Sequence, residues 1–259
     1  MRQEYPKILR WTKSSYAFLS AFLALLALIS YVWWPLVVDY LSTYNPEISF
    51  WRQMDWLLLG NFLVMSILIT ANADIKRDLP IVLIGFTGGL VIEGWGTQTS
   101  LWVYYTNERP PLWIIPAWPI ASLSIDRLFR VLKILFDKVP DKYNRKIYWV
   151  MFIAFSLFMV QFVMPTIHAS LTLMALFVTC FLILTPRDHR DSVLVFAAGS
   201  GLGYFLELWG TTRYCWVYYT LQTPPFFAIL AHGMAAFAFW RVLKLYEIFV
   251  GKRKNPSTL

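Results

Sequence analysis

Gly85-Phe86-Thr87-Gly88-Gly89-Leu90-Val91-Ile92-Glu93-Gly94-Trp95-Gly96-Thr97 leads into Trp102-Val103-Tyr104-Tyr105-Thr106 and then into Pro110-Pro111. The same order returns as Gly199, Gly203, Glu207, Trp209-Gly210-Thr211, Trp216-Val217-Tyr218-Tyr219-Thr220 and Pro224-Pro225. Every matched pair lies 114 residues apart, with no residue gained or lost, and about half of the aligned positions are identical. Chance does not give that over such a window, so the chain carries an internal duplication. The repeated unit is an apolar helix ending in a glutamate, a Trp-Gly-Thr step, an aromatic loop, a proline pair and another apolar helix.

Working outward, the 259 residues are 58% hydrophobic and 18% aromatic but only 15% charged. A soluble domain carries about a quarter charged residues, so this composition predicts an all-α, polytopic membrane protein whose solvent is the bilayer. The formal charge of +8 would suggest a nucleic-acid partner in a soluble protein. Here membrane topology accounts for it, and no nucleic acid is predicted. Cys180 lies in an apolar run and Cys215 in a loop, which suggests neither a disulfide framework nor a metal site. The first apolar run is too long for a signal peptide and reads as a first span.

Eight apolar runs follow one another, each about the 17–25 residues needed to cross. Residues 16–38, 54–72, 79–95 and 110–136 form the first half. Residues 147–164, 168–184, 192–209 and 224–244 form the second. A charged linker at 137–146, with Pro140, separates repeat 1–136 from repeat 147–259. Pro110-Pro111 and Pro224-Pro225 are expected to open spans four and eight, since proline is tolerated in a first helical turn. Trp33-Trp34-Pro35 suggests an interfacial belt, and Asp39 and Asp55 are expected to be solvated. Trp240-Arg241-Val242-Leu243-Lys244 echoes Phe129-Arg130-Val131-Leu132-Lys133, at a register three residues short of the main offset.

Eight spans put both termini on one side with the linker and the two Arg-Asp turns. Only Arg52, Arg109 and Arg213 fall on the other side, leaving 20 of the 23 Lys and Arg with the termini. The positive-inside rule makes that side cytoplasmic, in a plasma (inner) membrane. Four spans per half make the repeats parallel rather than inverted. Both Glu-Trp-Gly-Thr elements then face the non-cytoplasmic side.

Glu93 and Glu207 are the first candidates for chemistry, each a few residues inside the outer end of a span. A desolvated carboxyl there suits a general acid; it also suits a structural pin that accepts a hydrogen bond from the loop. His232, matched by Trp118 in the first copy, sits at the depth of Glu207, so a Glu–His pair is geometrically open. By this reasoning Glu93, beside an indole, suits an acid, and Glu207, beside an imidazole, suits a base or orienting group. Trp95, Trp102, Tyr104, Tyr105, Trp118, Trp209, Trp216, Tyr218 and Tyr219 form either an interfacial belt or the aromatic lining of a substrate site. No His, Cys, Asp and Glu spacing suggests a metal, and no cofactor is expected.

A glutamate closing an apolar helix, then Gly-Thr, an aromatic loop ending in tyrosine and prolines opening the next span, resembles the carotenoid-biosynthesis hydratases. The residues are Glu93, Gly96-Thr97, Trp102-Val103-Tyr104-Tyr105 and Pro116 to Pro119, with a weaker match from Gly199 to Gly233. Trp102 and Trp216 stand where that family has Phe-Gly. The resemblance implies an all-helical membrane lyase that adds water to the acyclic end of a carotene without a redox cofactor. The expected partners are the bilayer and a long apolar isoprenoid or lipid. A transporter or channel with Glu93 and Glu207 as ion or proton sites is the alternative, and a scaffold without chemistry is the third.

Overall fold

The computed structural model describes residues 10–254. Residues 1–9 and 255–259 lie outside it, and with them both ends whose side of the membrane the basic count predicts.

The described chain is all-α apart from two three-residue strands. Helix α1 (Lys13–Val32) begins at a capping box, with Ser15 N donating to Thr12 Oγ1 and Thr12 N to Ser15 Oγ. The same two side chains donate to Ala73 O and Thr70 O, both at 2.6 Å, which ties the start of α1 to residues 70–73. The first predicted span breaks at Trp33, and α2 (Trp34–Ser42) follows with Pro35 in its first turn. A single turn, α3 (Phe50–Gln53), leads to α4 (Trp56–Thr70). Asp55 caps α4, and Asp74 caps α5 (Ile75–Gln98). Strand β1 (Trp102–Tyr104) and α6 (Ala117–Leu135) complete the first half. The second half runs α7 (Asp141–Val163), α8 (Ser170–Leu184), α9 (His189–Thr212), β2 (Trp216–Tyr218) and α10 (Phe226–Lys254).

Each of the eight predicted runs holds a helix, but their lengths differ. Five helices among the described residues are long and apolar enough to cross a bilayer: α1, α5, α7, α9 and α10. Helices α4 and α8 are apolar but 15 residues each, a rise of ~22 Å. Large apolar side chains such as Val150, Leu157 and Phe177 lie exposed. That distribution is expected where hydrocarbon is the solvent.

The 114-residue offset reappears in the backbone. α4 and α8 are equally long and start 114 residues apart, and so do α5 and α9, each 24 residues. The opening helices do not correspond. Helix α1 stacks on α4 through Phe22 and Phe62, 5.3 Å between ring centroids. Helix α7 packs on α9, with Phe152 and Phe196 rings 5.2 Å apart.

Three expectations are corrected. Pro110-Pro111 does not open a helix; α6 starts at Ala117. Proline is best placed in a first turn, and Pro116 and Pro119 sit in the first turn of α6, although α5 carries Pro80 in its interior. Their second-copy counterparts are Leu230 and Gly233, so α10 begins directly after Pro225. Trp33 is not a belt residue: it is buried against Trp113, Trp209 and Trp216. Asp55 is not solvated: its Oδ2 accepts from Trp209 Nε1 and Arg213 Nε, both at 2.9 Å.

The basic echo also resolves at the main offset, where Arg127 matches Arg241. Both guanidinium groups are buried and donate to the carbonyl of a matched residue, Ala71 at 3.3 Å and Thr185 at 2.7 Å. Arg127 also pairs with Asp78 and Asp126. Those aspartates are replaced by Ser192 and Trp240, and among the described residues Arg241 forms no ion pair. It is held by carbonyls at the C-terminal end of α8, a position that favours a cation.

Candidate functional site

The site is built where α5 and α9 end. Thr97 and Thr211 hydroxyls donate back to the carbonyls of Glu93 and Glu207, at 2.5 and 2.6 Å. Leu101 N and Cys215 N donate to Gly96 O and Gly210 O, both at 2.9 Å. The turn passes through left-handed φ at Ser100 and Tyr214, again a matched pair. Each loop then folds over its own helix end. Here glycine is required: a Cβ at Gly96 would fall inside the Trp102 indole, and one at Gly210 inside Trp216.

Strands β1 and β2 pair antiparallel, Trp102 opposite Tyr218, Val103 opposite Val217 and Tyr104 opposite Trp216. Reciprocal bonds, Tyr105 N to Cys215 O and Tyr219 N to Leu101 O, extend the ladder. Alternate strand residues share a face, so Trp102 with Tyr104, and Trp216 with Tyr218, turn together toward a carboxylate.

Glu93 accepts from Trp102 Nε1 at 3.0 Å, Tyr104 Oη at 2.8 Å and Trp118 Nε1 at 3.2 Å. Glu207 accepts from Trp216 Nε1 and Tyr218 Oη, both at 2.9 Å, and meets His232 Nε2 at 2.8 Å. Both glutamates are buried, 4% and 3% exposed. Burial and the neighbouring carboxylates push the Tyr104 and Tyr218 phenols well above their ordinary pKa, so each keeps its proton and donates it. The buried Cys215 thiol beside them is pushed up to about 12 and stays neutral.

The third partner separates the two cradles. All of Glu93's donors are uncharged, and two of the three, the indoles of Trp102 and Trp118, can only donate, so the carboxyl serves them as acceptor. Glu207 instead faces an imidazole, which gives or takes a proton depending on its state. Trp118 and His232 stack on each other, ring centroids 5.9 Å apart and 18° from parallel. Trp118 therefore touches Glu93 through its N–H and His232 through its ring face.

An apolar cavity of about 690 Å³ lies against both cradles, within the range of small-molecule sites. Of the aromatic residues expected from sequence, Trp95, Trp102, Tyr104, Trp118, Trp209, Trp216 and Tyr218 line it, together with Glu93, Glu207 and His232. Tyr105 and Tyr219 do not; both are partly exposed, and the Tyr219 hydroxyl donates to Phe162 O at 2.7 Å. Trp95 and Trp209 line the wall with their N–H groups anchored on Thr172 and Asp55. Sequence reasoning missed Trp33 as a lining residue, because it stands outside the duplicated stretch and beside a proline that signals a helix end. Compared with family models, curated proteins and solved structures, the chain matches none.

Proposed function

We propose that the protein is a membrane lyase-type enzyme that holds the end of a long apolar isoprenoid or lipid in this cavity. On our reading it adds water across a terminal C=C. The observation that carries the proposal is an apolar cavity meeting two buried carboxylates, one of them bonded to an imidazole. The proton resident on the Glu207–His232 pair goes to the less substituted alkene carbon, where the π electrons form the new C–H bond. The tertiary cation left behind faces indole rings and the fixed Glu93 charge. Water adds to the cation and returns a proton to the pair, leaving an alcohol. The donor set thus favours Glu93 as the stabilising charge and Glu207–His232 as acid and base, the reverse of the assignment drawn from sequence for Glu93. The resemblance to carotenoid hydratases makes an acyclic carotene the first substrate to try.

The architecture we propose is eight spans in two parallel units, with both termini cytoplasmic in the plasma (inner) membrane. The matched helix lengths and the reciprocal strand pairing support it, as does the basic asymmetry. Helices α4 and α8 are accommodated by local thinning or tilt of their neighbours.

Purified protein in proteoliposomes, given an acyclic carotene and water labelled with heavy oxygen, is expected to yield a product heavier by one labelled water. Absence of labelled alcohol at any protein concentration contradicts the proposal. A second reading, proton passage between the halves, draws on a small cavity of about 50 Å³ between α6 and α10 that reaches from His232 to Asp126. Acidification of protein-containing vesicles under an imposed potential, without substrate, would favour it.

A further inference from the structure

Met65, Phe155 and Met234 line the large cavity and stay buried, so lining it does not by itself expose a side chain. Val91 on α5 and Met174 on α8 line it too, yet they are 71% and 63% exposed. Thr87, Leu171 and Val178 on the same two helices are likewise both lining and exposed, as is Val242 on α10. Among the described lining residues of α1, α4 and α9, Leu58 alone is exposed, at 39%. The duplication shows why the two sides differ. Helices α5 and α8 are joined beside the Glu93 cradle, where Trp95 Nε1 donates to Thr172 Oγ1 at 3.1 Å. Helices α9 and α4 are joined beside the Glu207 cradle by Trp209 Nε1 and Asp55 Oδ2. They are joined again further from the cradle, where Asn61 Nδ2 donates to Phe205 O at 3.1 Å. The residues 114 positions away are Ala175 and Val91, and alanine has no amide to give. Among the described residues that second latch is found on the α4 side alone. Helix α1 also covers α4, with Phe22 on Phe62 and Trp33 beside Trp209, whereas α7 packs on α9.

We infer that an apolar chain enters the cavity sideways from the bilayer, through an opening between α5 and α8 bounded by Thr87, Val91, Met174 and Val178. The gap between α4 and α9 is its shut counterpart. This inference rests on the reading of the cavity as an isoprenoid or lipid site. The rim suits hydrocarbon and offers little to a polar molecule. Val91, Met174 and Val178 are apolar, and the Thr87 hydroxyl is spent on Leu83 O at 2.9 Å. A chain can therefore pass from bilayer to cavity without its apolar surface meeting water.

Geranylgeraniol carrying a photoactivatable diazirine, added to vesicles that hold the full-length protein, tests the route. Light at successive times attaches it to what it has reached, and mass spectrometry follows the label on the buried Met234 and Phe155. Val91→Trp and Met174→Trp each add bulk at an exposed rim position, and two variants guard against one that misfolds. Phe205→Trp adds bulk at the matched place on α9, where the side chain does not line the cavity. Each rim variant is expected to slow interior labelling about fivefold or more, the effect of ~1 kcal/mol added to an entry barrier. Phe205→Trp is expected to label at the wild-type rate. A blocked path also slows release of the probe into added empty vesicles, whereas a merely weakened site releases it faster. Labelling at the wild-type rate in both rim variants, faster release from them, or equal slowing by Phe205→Trp overturns the inference and leaves the cavity reading standing. If the wild-type interior takes up no label, the cavity reading falls and this inference with it.

Discussion

Glu93 and Glu207 accept the same two loop donors on the same oxygens, and they part company at the third. Trp118 supplies that donor in the first copy and His232 in the second. Gly89 and Gly203 give both side chains room, because a Cβ at either glycine would meet the ring or Cβ of the residue opposite. The duplicated loop and helix end therefore act as a fixed clamp, and one position on the facing helix decides what the clamped carboxylate does. An indole N–H only donates, whereas an imidazole nitrogen can donate or accept a proton. The arginines diverge likewise: Arg127 answers two carboxylates, whereas Arg241 answers backbone carbonyls.

Substitutions that make one copy imitate the other sharpen this comparison. His232→Trp turns the second cradle into the first and is expected to lower turnover by ~10²–10⁴-fold, the usual cost of losing a proton-transfer group. Its thermal midpoint should stay near wild type. Trp118→His should lower turnover far less, and parity of the two variants would break the distinction between the copies. Next in size are the arginines. Arg127→Met takes from Asp78 its buried partner, leaving the more exposed Arg77 and Asp74 N, and should destabilise by up to ~3 kcal/mol. Arg241→Met strands no charge and should cost ~1–3 kcal/mol, measurable as the smaller fall in melting temperature.

Smaller still, and equal in the two copies, is the effect of filling the glycines under the indoles. Gly96→Ala and Gly210→Ala should each destabilise by ~1–3 kcal/mol through overpacking; a large difference between them would show that the clamps are not alike. The smallest effect falls on the loop residues Asn107 and Leu221, both at left-handed φ. Asparagine tolerates that conformation and leucine does not. Leu221→Gly is therefore expected to stabilise by ~0.4–1 kcal/mol, and Asn107→Gly to change the melting temperature little.

Much of this contrast was readable from the chain itself. A constant offset aligned Glu93 with Glu207 and Trp118 with His232, and an apolar run of helical length needs no further context to be placed. Pairing between the two aromatic loops was not readable, since three residues are too few to show a strand period. Asp55 and Trp33 were misplaced, as solvated and interfacial, for another reason: their partners lie 80 or more residues away, and only the assembled bundle brings them together. The start of α6 was legible in principle, because Pro116 and Pro119 favour a first turn at 116–119 over an earlier one.

The central claim is that the Glu207–His232 pair moves the proton while Glu93 holds a fixed charge. Its most direct test is the pH profile of turnover per folded molecule for Glu93→Gln and Glu207→Gln in detergent. Glu93→Gln is expected to keep the wild-type profile at reduced height. Glu207→Gln is expected to fall by ~10²–10⁴-fold and to lose the pH-dependent limb. If both variants keep wild-type turnover, the glutamates only pin the loops; if both lose the limb alike, the two cradles share one role, and either result contradicts the claim.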